Sequence, residues 1–306
     1  DNTRVLVDTS PDLRSQALAF GVTGVDVILF THHHADHVMG LDDVRAFNYR
    51  QRGSIPCLGD ASTLGALRRM FAYAWDPSTP KSGGVPRLRL LEVTGRFCLG
   101  RSEVVPVPVY HGTQPILGYR VDAFAYLTDC SAIPPASWPL LEGVDVLVLN
   151  HGMYERSPAS ELSPEAMERT MAVNFTGAYL VWEALAAHLL DDARIVVIGS
   201  QLGIKGSGHG ADYAASKGAL HAWARSLALD VARIGQRVNV VAPGAIDTAI
   251  VGDDTPEERE RRMQGIPMGR LGTPDEVAGV VSFLVGADSS YLTGAVVHVN
   301  GGLYHP

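Results

Sequence analysis

Four residues of a metal-binding type of pattern, three histidines and one aspartate, fall within six consecutive positions that also include His33. They are His32, His34, Asp36 and His37, which together read HxHxDH. The motif directly follows Val25–Phe30, an apolar run rich in β-branched residues that predicts a buried strand. Imidazoles and a carboxylate gathered on a loop at a strand's end are the donors that a borderline divalent metal prefers. The pattern therefore indicates a metal site better than it indicates a solvated turn or a chance run of histidines.

A phenol and an amine share one face of a predicted helix later in the chain. Tyr213 and Lys217 lie four residues apart, and side chains at that spacing are neighbours on a helix. A nearby ammonium lowers the pKa of a phenol from about 10, which would let the tyrosine move a proton near neutral pH. Such a pair alone is common on helix surfaces, but Ser200 ends a predicted strand thirteen positions earlier. The three residues together favour a proton-transfer site.

The bulk composition limits the function classes. With 306 residues, 46% of them hydrophobic and 19% charged, the chain is typical of a globular protein of one or two domains. Neither half carries the basic stripe of a nucleic-acid-binding protein, since residues 1–150 hold 15 acids and 13 bases and residues 151–306 hold 18 acids and 12 bases. No apolar run approaches the roughly 18 residues of a membrane span, and no pattern predicts a signal peptide. The three cysteines lack CxxC spacing, so we expect a cytoplasmic protein without disulfides.

The predicted order and length of helices and strands change along the chain. After residue 150, long helices alternate with apolar strands, which predicts a parallel sheet covered by helices on both faces. Before it, the patterns predict strands at Arg4–Val7, Val25–Phe30, Val104–Val109, Phe124–Leu127 and Val144–Leu149 and helices at Asp12–Phe20 and Leu41–Arg50. After it, they predict helices at Pro164–Leu190, Ala211–Arg233 and Pro274–Leu284 and strands at Arg194–Ile198, Arg237–Val241 and Ala295–Val299.

The change falls at the strand Val144–Leu149, and no Gly-, Ser- or Pro-rich linker stands there. A fusion of two complete domains would normally carry a linker. We therefore expect an α/β chain of two segments, 1–143 and 144–306, that are joined within a strand.

Four stretches of the first segment share a family pattern. They are VLVDTSPDLRSQ, THHHADHVMGLDDVR, VPVYHGTQPILGYR and AYLTDCS. Over about residues 1–150 they resemble the metallo-β-lactamase superfamily, and most closely its phosphodiesterase branch, which includes the phosphoribosyl cyclic phosphate phosphodiesterase of phosphonate breakdown. The resemblance implies an αββα fold and two divalent metals, zinc or manganese, that lower the pKa of a shared hydroxide and clamp a phosphoryl group. It also implies ligand roles: His32, His34 and His111 on one metal, Asp36 and His37 on the other, Asp129 as the bridge, and Asp36 as a catalytic residue.

The first resemblance lacks two features of that branch. Its members carry a further metal histidine after the strand that here is Val144–Leu149, and an N-terminal hairpin before the first strand. Neither is found in this sequence. His151 follows the strand and is a candidate for the vacant ligand position, although it fits the pattern of the second segment better.

The second segment, over about residues 144–306, resembles the short-chain dehydrogenase/reductase family in several motifs. They are Asn150-His-Gly152, Asn174 in MAVNFTGAY, Ser200, Tyr213-x-x-x-Lys217, Pro243-Gly244 with Thr248, and Leu292-Thr-Gly294 to Asn300-Gly-Gly302. The resemblance implies a Rossmann-like sheet in which Tyr213 is the general acid/base, Lys217 tunes it and holds the ribose, and Ser200 polarises the carbonyl. It further implies that Asn174 positions a relay water and that NAD or NADP binds to Asn150, Gly152, Tyr213, Lys217, Pro243, Gly244 and Thr248.

The phosphate-binding part of such a nucleotide site is missing from the sequence. Members of this family begin with a strand and a TGxxxGxG loop at the N-terminus of a helix. The glycine clusters at 21–24 and 203–208 do not stand between a strand and the helix that follows it, so they are better explained as flexible loops. We therefore expect NAD(P) binding to be weak or absent.

Three functional hypotheses remain open. The first is a metal-dependent hydrolase of a phosphodiester or cyclic phosphate, and the second is an NAD(P)-dependent reductase. The third is an inactive or artificial hybrid of the two families. We rank the hydrolase above the reductase, because losing one metal ligand costs less than losing the phosphate loop. In either case we expect a small-molecule substrate, no nucleic acid or membrane partner, and possible homo-oligomers through the C-terminal segment.

Overall fold

The structure is a computed structural model that describes residues 3–79, 84–248 and 255–305. The chain divides into two compact units, Asp1–Glu142 and Gly143–Pro306. None of the helices within the described ranges is both long and apolar enough to cross a membrane.

The first half of the first unit forms a parallel sheet with helices. The elements are β1 (Val5–Val7), α1 (Leu13–Ala19), β2 (Val27–Leu29), α2 (Ala35–Val38), α3 (Arg45–Gln51), β3 (Ile55–Gly59), α4 (Ala61–Met70) and β4 (Leu88–Glu92). The four strands are hydrogen-bonded in the order β1-β2-β3-β4, and all three pairs are parallel. A 3-10 helix, Met39–Val44, leads directly into α3.

The rest of the first unit is an antiparallel sheet. Its strands are β5 (Phe97–Leu99), β6 (Ser102–His111), β7 (Gln114–Val121) and β8 (Phe124–Tyr126), which pair in chain order. The longest ladder joins β6 to β7, from Val104 opposite Val121 to His111 opposite Gln114. Gly112 makes the tight turn between them with a φ of +62°, a conformation that favours glycine.

The two sheets of the first unit meet across β2. Successive side chains of a strand point to opposite faces of the sheet. The side chains of β2 are buried on both faces. Ile28 belongs to a hydrophobic cluster with Val38 of α2. Val27 and Leu29 belong to another cluster, with Tyr119 of β7. The parallel sheet therefore has helices on one face and the antiparallel sheet on the other.

The second unit contains one parallel sheet. Its elements are β9 (Val144–Leu149), α5 (Pro164–Met171), α6 (Gly177–Leu185), β10 (Leu189–Ile198), α7 (Leu202–Lys205), α8 (Ala211–Val231), β11 (Arg237–Pro243), α9 (Pro256–Gln264), α10 (Pro274–Val285) and β12 (Val296–Val299). The strand order is β12-β11-β10-β9. Within the described part of the chain, no sheet takes strands from both units.

The prediction of one helix over Pro164–Leu190 is wrong. The structure breaks it into α5, a π-helical segment at Ala172–Thr176, and α6, which ends at Leu185. The chain is already in β10 at Leu189, whose backbone pairs with Val144 and whose side chain is buried. Tertiary burial therefore overrides the helix propensity of this alanine- and leucine-rich stretch.

Several elements were not predicted from the sequence, namely α2, β3, α4, β4, β5, β7, α7 and α9. Two of the missed strands contain residues that usually interrupt strands. β3 includes Pro56, and β7 includes Pro115 and Gly118. The predicted α/β class, with parallel sheets and covering helices, is confirmed.

Candidate functional site

The predicted metal ligands come from separate segments of the first unit and meet in one place. Two groups of donor atoms form, and within each group all ligand atoms lie within 4.8 Å of one another. Asp129, in the loop after β8, belongs to both groups. The first group is His32, His34, His111 and Asp129, and the second is Asp36, His37 and Asp129.

The imidazole rings of the four histidines are closely packed. The ring centroids of His32 lie 4.2 Å from His37 and 4.6 Å from His34, and those of His34 and His111 are 5.1 Å apart. Protonated rings at these distances would repel one another. The cluster therefore suits neutral imidazoles arranged around a cation.

Asp8, for which the sequence predicts no role, orients two of these histidines. Its Oδ2 accepts hydrogen bonds from His37 Nδ1 at 2.8 Å and from the Thr31 hydroxyl at 2.7 Å. The Thr31 oxygen lies 3.0 Å from His32 Nδ1, so it accepts the proton on that nitrogen. Both rings therefore carry a proton on Nδ1, which directs Nε2 of each ring towards the Asp129 carboxylate and the other predicted ligands.

The two oriented histidines differ in their proton affinity. The pKa of His32 is lowered to about 4, mainly because the ring is buried. The pKa of His37 is raised, mainly by its hydrogen bond to Asp8. At neutral pH His32 is therefore in the form that binds metal, while at His37 a proton and a metal compete for Nε2.

Two aspartates of the site have unusual backbone geometry. Asp8 has a φ of +59° and Asp129 a φ of +50°. Non-glycine residues rarely adopt positive φ, and such conformations are concentrated at functional sites. The Asp8 backbone is held there by its N–H, which donates to Leu29 O at 2.9 Å. The pairing of β1 with β2 thus places the carboxylate under the histidine motif.

The donor set fits a pair of divalent metals. His32 Nε2 is buried and has no hydrogen-bond partner among the described residues. It lies 3.5 Å from Asp129 Oδ2, and His37 Nε2 lies 3.1 Å from the same oxygen. A buried, unpaired imidazole nitrogen costs free energy unless a ligand satisfies it. Imidazole nitrogens and carboxylate oxygens are the donors expected for zinc or manganese.

The second predicted site assembles in the second unit around the N-terminal half of α8. Lys217 is 3% exposed, and its Nζ donates to Ile198 O at 2.9 Å. Burial lowers the pKa of Lys217 to about 8. Burial also raises the pKa of Tyr213, while a hydrogen bond with the Ser200 side chain lowers it. The ammonium lies 5.7 Å from the centre of the tyrosine ring, and its effect on the proton affinity of Tyr213 stays a prediction.

Asn174 fixes the segment that follows β9. Its side chain accepts from Met153 N at 2.7 Å, and donates to Met153 O at 3.0 Å and to Ser216 Oγ at 2.9 Å. It projects from the π-helical segment, a distortion that is frequent at functional sites. A Cβ at Gly152 would lie 3.2 Å from Lys217 Nζ. The lack of a side chain at 152 therefore leaves room for the buried ammonium.

The other predicted cofactor contacts lie at loops of the second unit. Asn150 directly follows β9, and Pro243 ends β11. Gly244 donates its N–H to Val299 O at 2.9 Å, and Thr248 donates to Ile246 O at 3.4 Å. Their roles in binding NAD(P) stay predictions.

His151 has contacts within the second unit. Its ring packs against Gly177, since a Cβ added to that glycine would lie 3.1 Å from His151 Nε2. The ring also hydrogen-bonds to the backbone of Val173. Neither metal-binding group found among the described residues includes it.

Two further side chains flank the Tyr-Lys site. The ring of Tyr154 lies against that of Tyr213, with centroids 4.6 Å apart, and its hydroxyl donates to His209 O at 2.8 Å. His221, 2% exposed, accepts from Ser200 N at 3.3 Å. His221 falls four positions after Lys217 on the same helix face, and that spacing could have identified it from the sequence.

Two family models match the chain. One, described as a beta-lactamase superfamily domain, matches residues 3–197. The other, described as an enoyl-(acyl carrier protein) reductase, matches residues 136–304. The two ranges overlap over residues 136–197, which contain β9 and most of β10.

Curated relatives match the second part of the chain. It is 38% identical over 182 residues to the 3-oxoacyl-[acyl-carrier-protein] reductase MabA of Mycobacterium tuberculosis H37Rv, covering 58% of this chain and 74% of that protein. It is 36% identical over 163 residues to the 3-oxoacyl-[acyl-carrier-protein] reductase FabG of Escherichia coli K12, covering 53% of this chain and 67% of that protein.

Solved structures resemble each part. A blue fluorescent protein from a metagenomic library, in complex with NADPH, shares the fold at a TM-score of 0.54 and 24% identity, with 99% of both chains covered. A diphosphatase of the PhnP family aligns at a TM-score of 0.48 and 31% identity, covering 64% of this chain and 69% of that one.

Proposed function

Because the chain belongs to the beta-lactamase superfamily in residues 3–197 and to the enoyl-(acyl carrier protein) reductase family in residues 136–304, we propose that its first unit is a metal-dependent phosphodiesterase. The substrate would be a phosphodiester or a cyclic phosphate. One observation carries the proposal: the two donor groups share the carboxylate of Asp129. Two metals a few ångströms apart are the arrangement used for in-line displacement at phosphorus.

The proposed mechanism assigns a task to each side chain. Two divalent metals, when bound, would lower the pKa of a water molecule and stabilise charge on phosphoryl oxygens. His32, His34 and His111 would hold one metal through ring nitrogens, and Asp129 would hold both through its carboxylate. Asp8 keeps the Nδ1 proton of His37 in place, so that Nε2 would be the nitrogen that holds the second metal.

Asp36 completes the second group. Its side chain is 75% exposed, and its Oδ2 lies 3.6 Å from His37 Nε2. An exposed carboxylate at that position can bind the second metal and accept a proton from the attacking water. We propose both tasks for Asp36.

The test combines metal content with activity. Elemental analysis of monodisperse protein should find about two equivalents of zinc, manganese or iron, and bis(4-nitrophenyl) phosphate and 2′,3′-cyclic nucleotides should be hydrolysed until a chelator is added. Asp36→Asn should lose activity. Asp12→Asn, an exposed aspartate at the start of α1 outside both donor groups, is the matched control and should keep it. Monodisperse protein that takes up no metal would refute the proposal.

A second candidate function rests on the Tyr213, Lys217 and Ser200 arrangement. The relatives MabA and FabG are named as 3-oxoacyl-[acyl-carrier-protein] reductases, so the second unit would reduce a carbonyl with NADPH. We propose that cofactor binding is weak, because the sequence lacks the glycine-rich phosphate loop. The test is NADPH-dependent reduction of an acetoacetyl thioester that disappears in Tyr213→Phe. Tyr291→Phe, fully exposed on the surface, is the control and should retain any activity.

A further inference from the structure

A large cavity in the first unit belongs to neither proposed site. Its volume is about 1230 Å³, and it lies between α1, α3 and the segments around Trp75 and Pro86. None of the residues that line it belongs to the two metal-binding groups. We call it the arginine groove, after the four arginines that line it: Arg14, Arg45, Arg50 and Arg87.

The walls of the arginine groove are largely apolar and aromatic. Leu13 and Phe47, each 6% exposed, line it together with Trp75. Leu18 is 75% exposed and Tyr49 is 81% exposed along the same groove. Large apolar side chains left to water around a concave surface mark a binding site for a ligand with an apolar body. The aromatic rings favour a planar one.

The charge of the arginine groove is opposite to that of the chain. The whole chain carries a net charge of −8, whereas the groove is lined by its four arginines and by two aspartates, Asp43 and Asp76. The carboxylate of Asp76 already accepts two hydrogen bonds from Ser78, at 2.7 and 2.8 Å. An anionic ligand would therefore meet a locally positive surface.

Two of the four guanidinium groups have no partner among the residues that the structure describes. Arg45 pairs with Asp42 at 3.1 Å, and Arg87 donates to Asn48 O at 3.0 Å. Arg14 and Arg50 are exposed and form no ion pair or hydrogen bond with any residue that the structure describes. A guanidinium offers a planar fork of donors that matches carboxylate, sulfonate or phosphate oxygens.

We infer that the arginine groove binds an aromatic organic anion, a planar ring system that carries a carboxylate, sulfonate or phosphate. The rings would pack on Phe47 and Trp75, and the anionic group would pair with Arg14 or Arg50. Ligand pockets usually measure roughly 300–1000 Å³, so the groove has room for a ligand as large as a nucleotide. This inference does not depend on the metal site.

The experiment uses the full chain and two fluorescent probes of similar shape. The anionic probe is 8-anilinonaphthalene-1-sulfonate, and the uncharged probe is N-phenyl-1-naphthylamine. The charge-reversal variant carries Arg14→Glu and Arg50→Glu. The matched control carries Arg68→Glu and Arg69→Glu, two exposed arginines of α4 that do not line the groove.

We expect one equivalent of the sulfonate to bind with energy transfer that comes largely from Trp75 among the four tryptophans of the chain, and Trp75→Phe should reduce that transfer. The charge-reversal variant should bind the sulfonate at least about tenfold more weakly, while its affinity for the uncharged probe and the affinities of the control change less than about twofold. Circular dichroism should report the same fold for every variant. High salt should weaken the binding of the sulfonate and leave the binding of the uncharged probe unchanged.

Three results would overturn the inference. One is an equal loss in the charge-reversal variant and its control, since the effect would then be a change in overall charge. Another is energy transfer that is undiminished in Trp75→Phe, because the probe would then lie closer to one of the other three tryptophans. The third is a halving of the sedimenting mass when the sulfonate binds, which would show that a second copy of the chain occupies the groove.

Discussion

The polar atoms of the two candidate sites differ in what they already contact. In the first unit, His32 Nε2 is buried without a hydrogen-bond partner in the described structure, and His37 Nε2 faces two carboxylates. In the second unit, Lys217 Nζ already donates to Ile198 O, and the Asn174 amide is bonded to Met153. The first site directs its donors towards a shared centre. In the second, Lys217 and Asn174 are satisfied internally, and His221 Nδ1 beside them has no hydrogen-bond partner among the described residues.

This difference follows from how each kind of site is built. A metal centre needs only a few side chains from loops of one unit, and Asp8 orients two of the histidines from the neighbouring strand β1. A dinucleotide site also needs a backbone loop that cradles the phosphates at a helix N-terminus. Substitutions at the two sites test this contrast.

Asp129→Ala should abolish the first site. Asp129 belongs to both donor groups, so its loss removes a ligand from each metal at once. We expect metal content to fall from about two equivalents to below about one half, and phosphodiesterase activity to fall at least about a thousandfold. Elemental analysis and initial rates measure the two effects.

The control for that variant is Asp122→Ala. Asp122 also has a positive φ, but it lies in the turn between β7 and β8, outside both donor groups. Its metal content should be that of the unaltered protein. Equal loss of metal in the two variants would mean that the effect is on folding, and the contrast between the sites would then fail.

Asp8→Asn should weaken metal binding without unfolding the protein. Both carboxylate oxygens of Asp8 accept hydrogen bonds, Oδ2 from His37 Nδ1 and the Thr31 hydroxyl and Oδ1 from Thr31 N–H. The NH2 group of an amide would face one of these donors and could not accept from it. Losing such a supporting hydrogen bond typically costs a metal site about 10- to 100-fold in affinity. Titration with Co²⁺, followed by its visible absorption, measures the affinity and the ligand geometry. Asp26→Asn, which loses only an exposed ion pair with Arg4, should leave both unchanged.

The sequence predicted the ligands better than it predicted the framework that orients them. Both family resemblances are confirmed by the matching family models, and the strand Val144–Leu149 has the predicted bounds. The histidine motif is compact in sequence, so its residues could be identified from spacing alone, although their roles stay predictions. Asp8 was missed because a single aspartate after a short strand reads as a turn residue. Only the pairing of β1 with β2 brings it under His37.

The second site could be predicted only in part for a related reason. The spacing of Tyr213 and Lys217 indicates a shared helix face, which the helix α8 provides. Spacing does not reveal burial, and burial is what lowers the pKa of Lys217 and raises that of Tyr213. Nor does it reveal that the Lys217 ammonium bonds to the carbonyl of Ile198, on β10.

Lys217→Met should alter how the stability of the second unit depends on pH. The pKa of Lys217 is lowered to about 8 from 10.5, so between these values the unfolded chain binds more protons than the folded one. The free energy of unfolding therefore rises with pH across this window, and below pH 8 the buried charge destabilises the fold. In the variant the free energy of unfolding should no longer rise with pH across this window. At pH 7 it should be about 1 to 2 kcal/mol higher than in the unaltered protein, a figure that already subtracts the lost hydrogen bond to Ile198.

Hydrogen exchange of the amides in β10 and β11 measures this effect within the second unit. Lys205→Met, at the exposed end of α7, is the control and should keep the slope of the unaltered protein. An unchanged slope in Lys217→Met would mean that the ammonium is not buried as the structure has it. The second site would then resemble the first in having a donor open to a ligand.

Tyr154→Phe should have the smallest effect, and it tests whether the second site is held together by its own contacts. The variant removes the hydroxyl that donates to His209 O at 2.8 Å but keeps the ring against Tyr213. Since this hydrogen bond is exposed, its loss should cost only about 0.5 kcal/mol. Tyr154→Ala also removes the ring contact and should cost about 1 kcal/mol more. It should also speed hydrogen exchange at the start of α8, because the Tyr154 ring packs against Gly210, the residue that precedes this helix. A Cβ added to Gly210 would lie 3.1 Å from the Tyr154 hydroxyl oxygen. If both variants leave the exchange of α8 unchanged, Tyr154 does not support the site, and Asn174 and Lys217 alone order it.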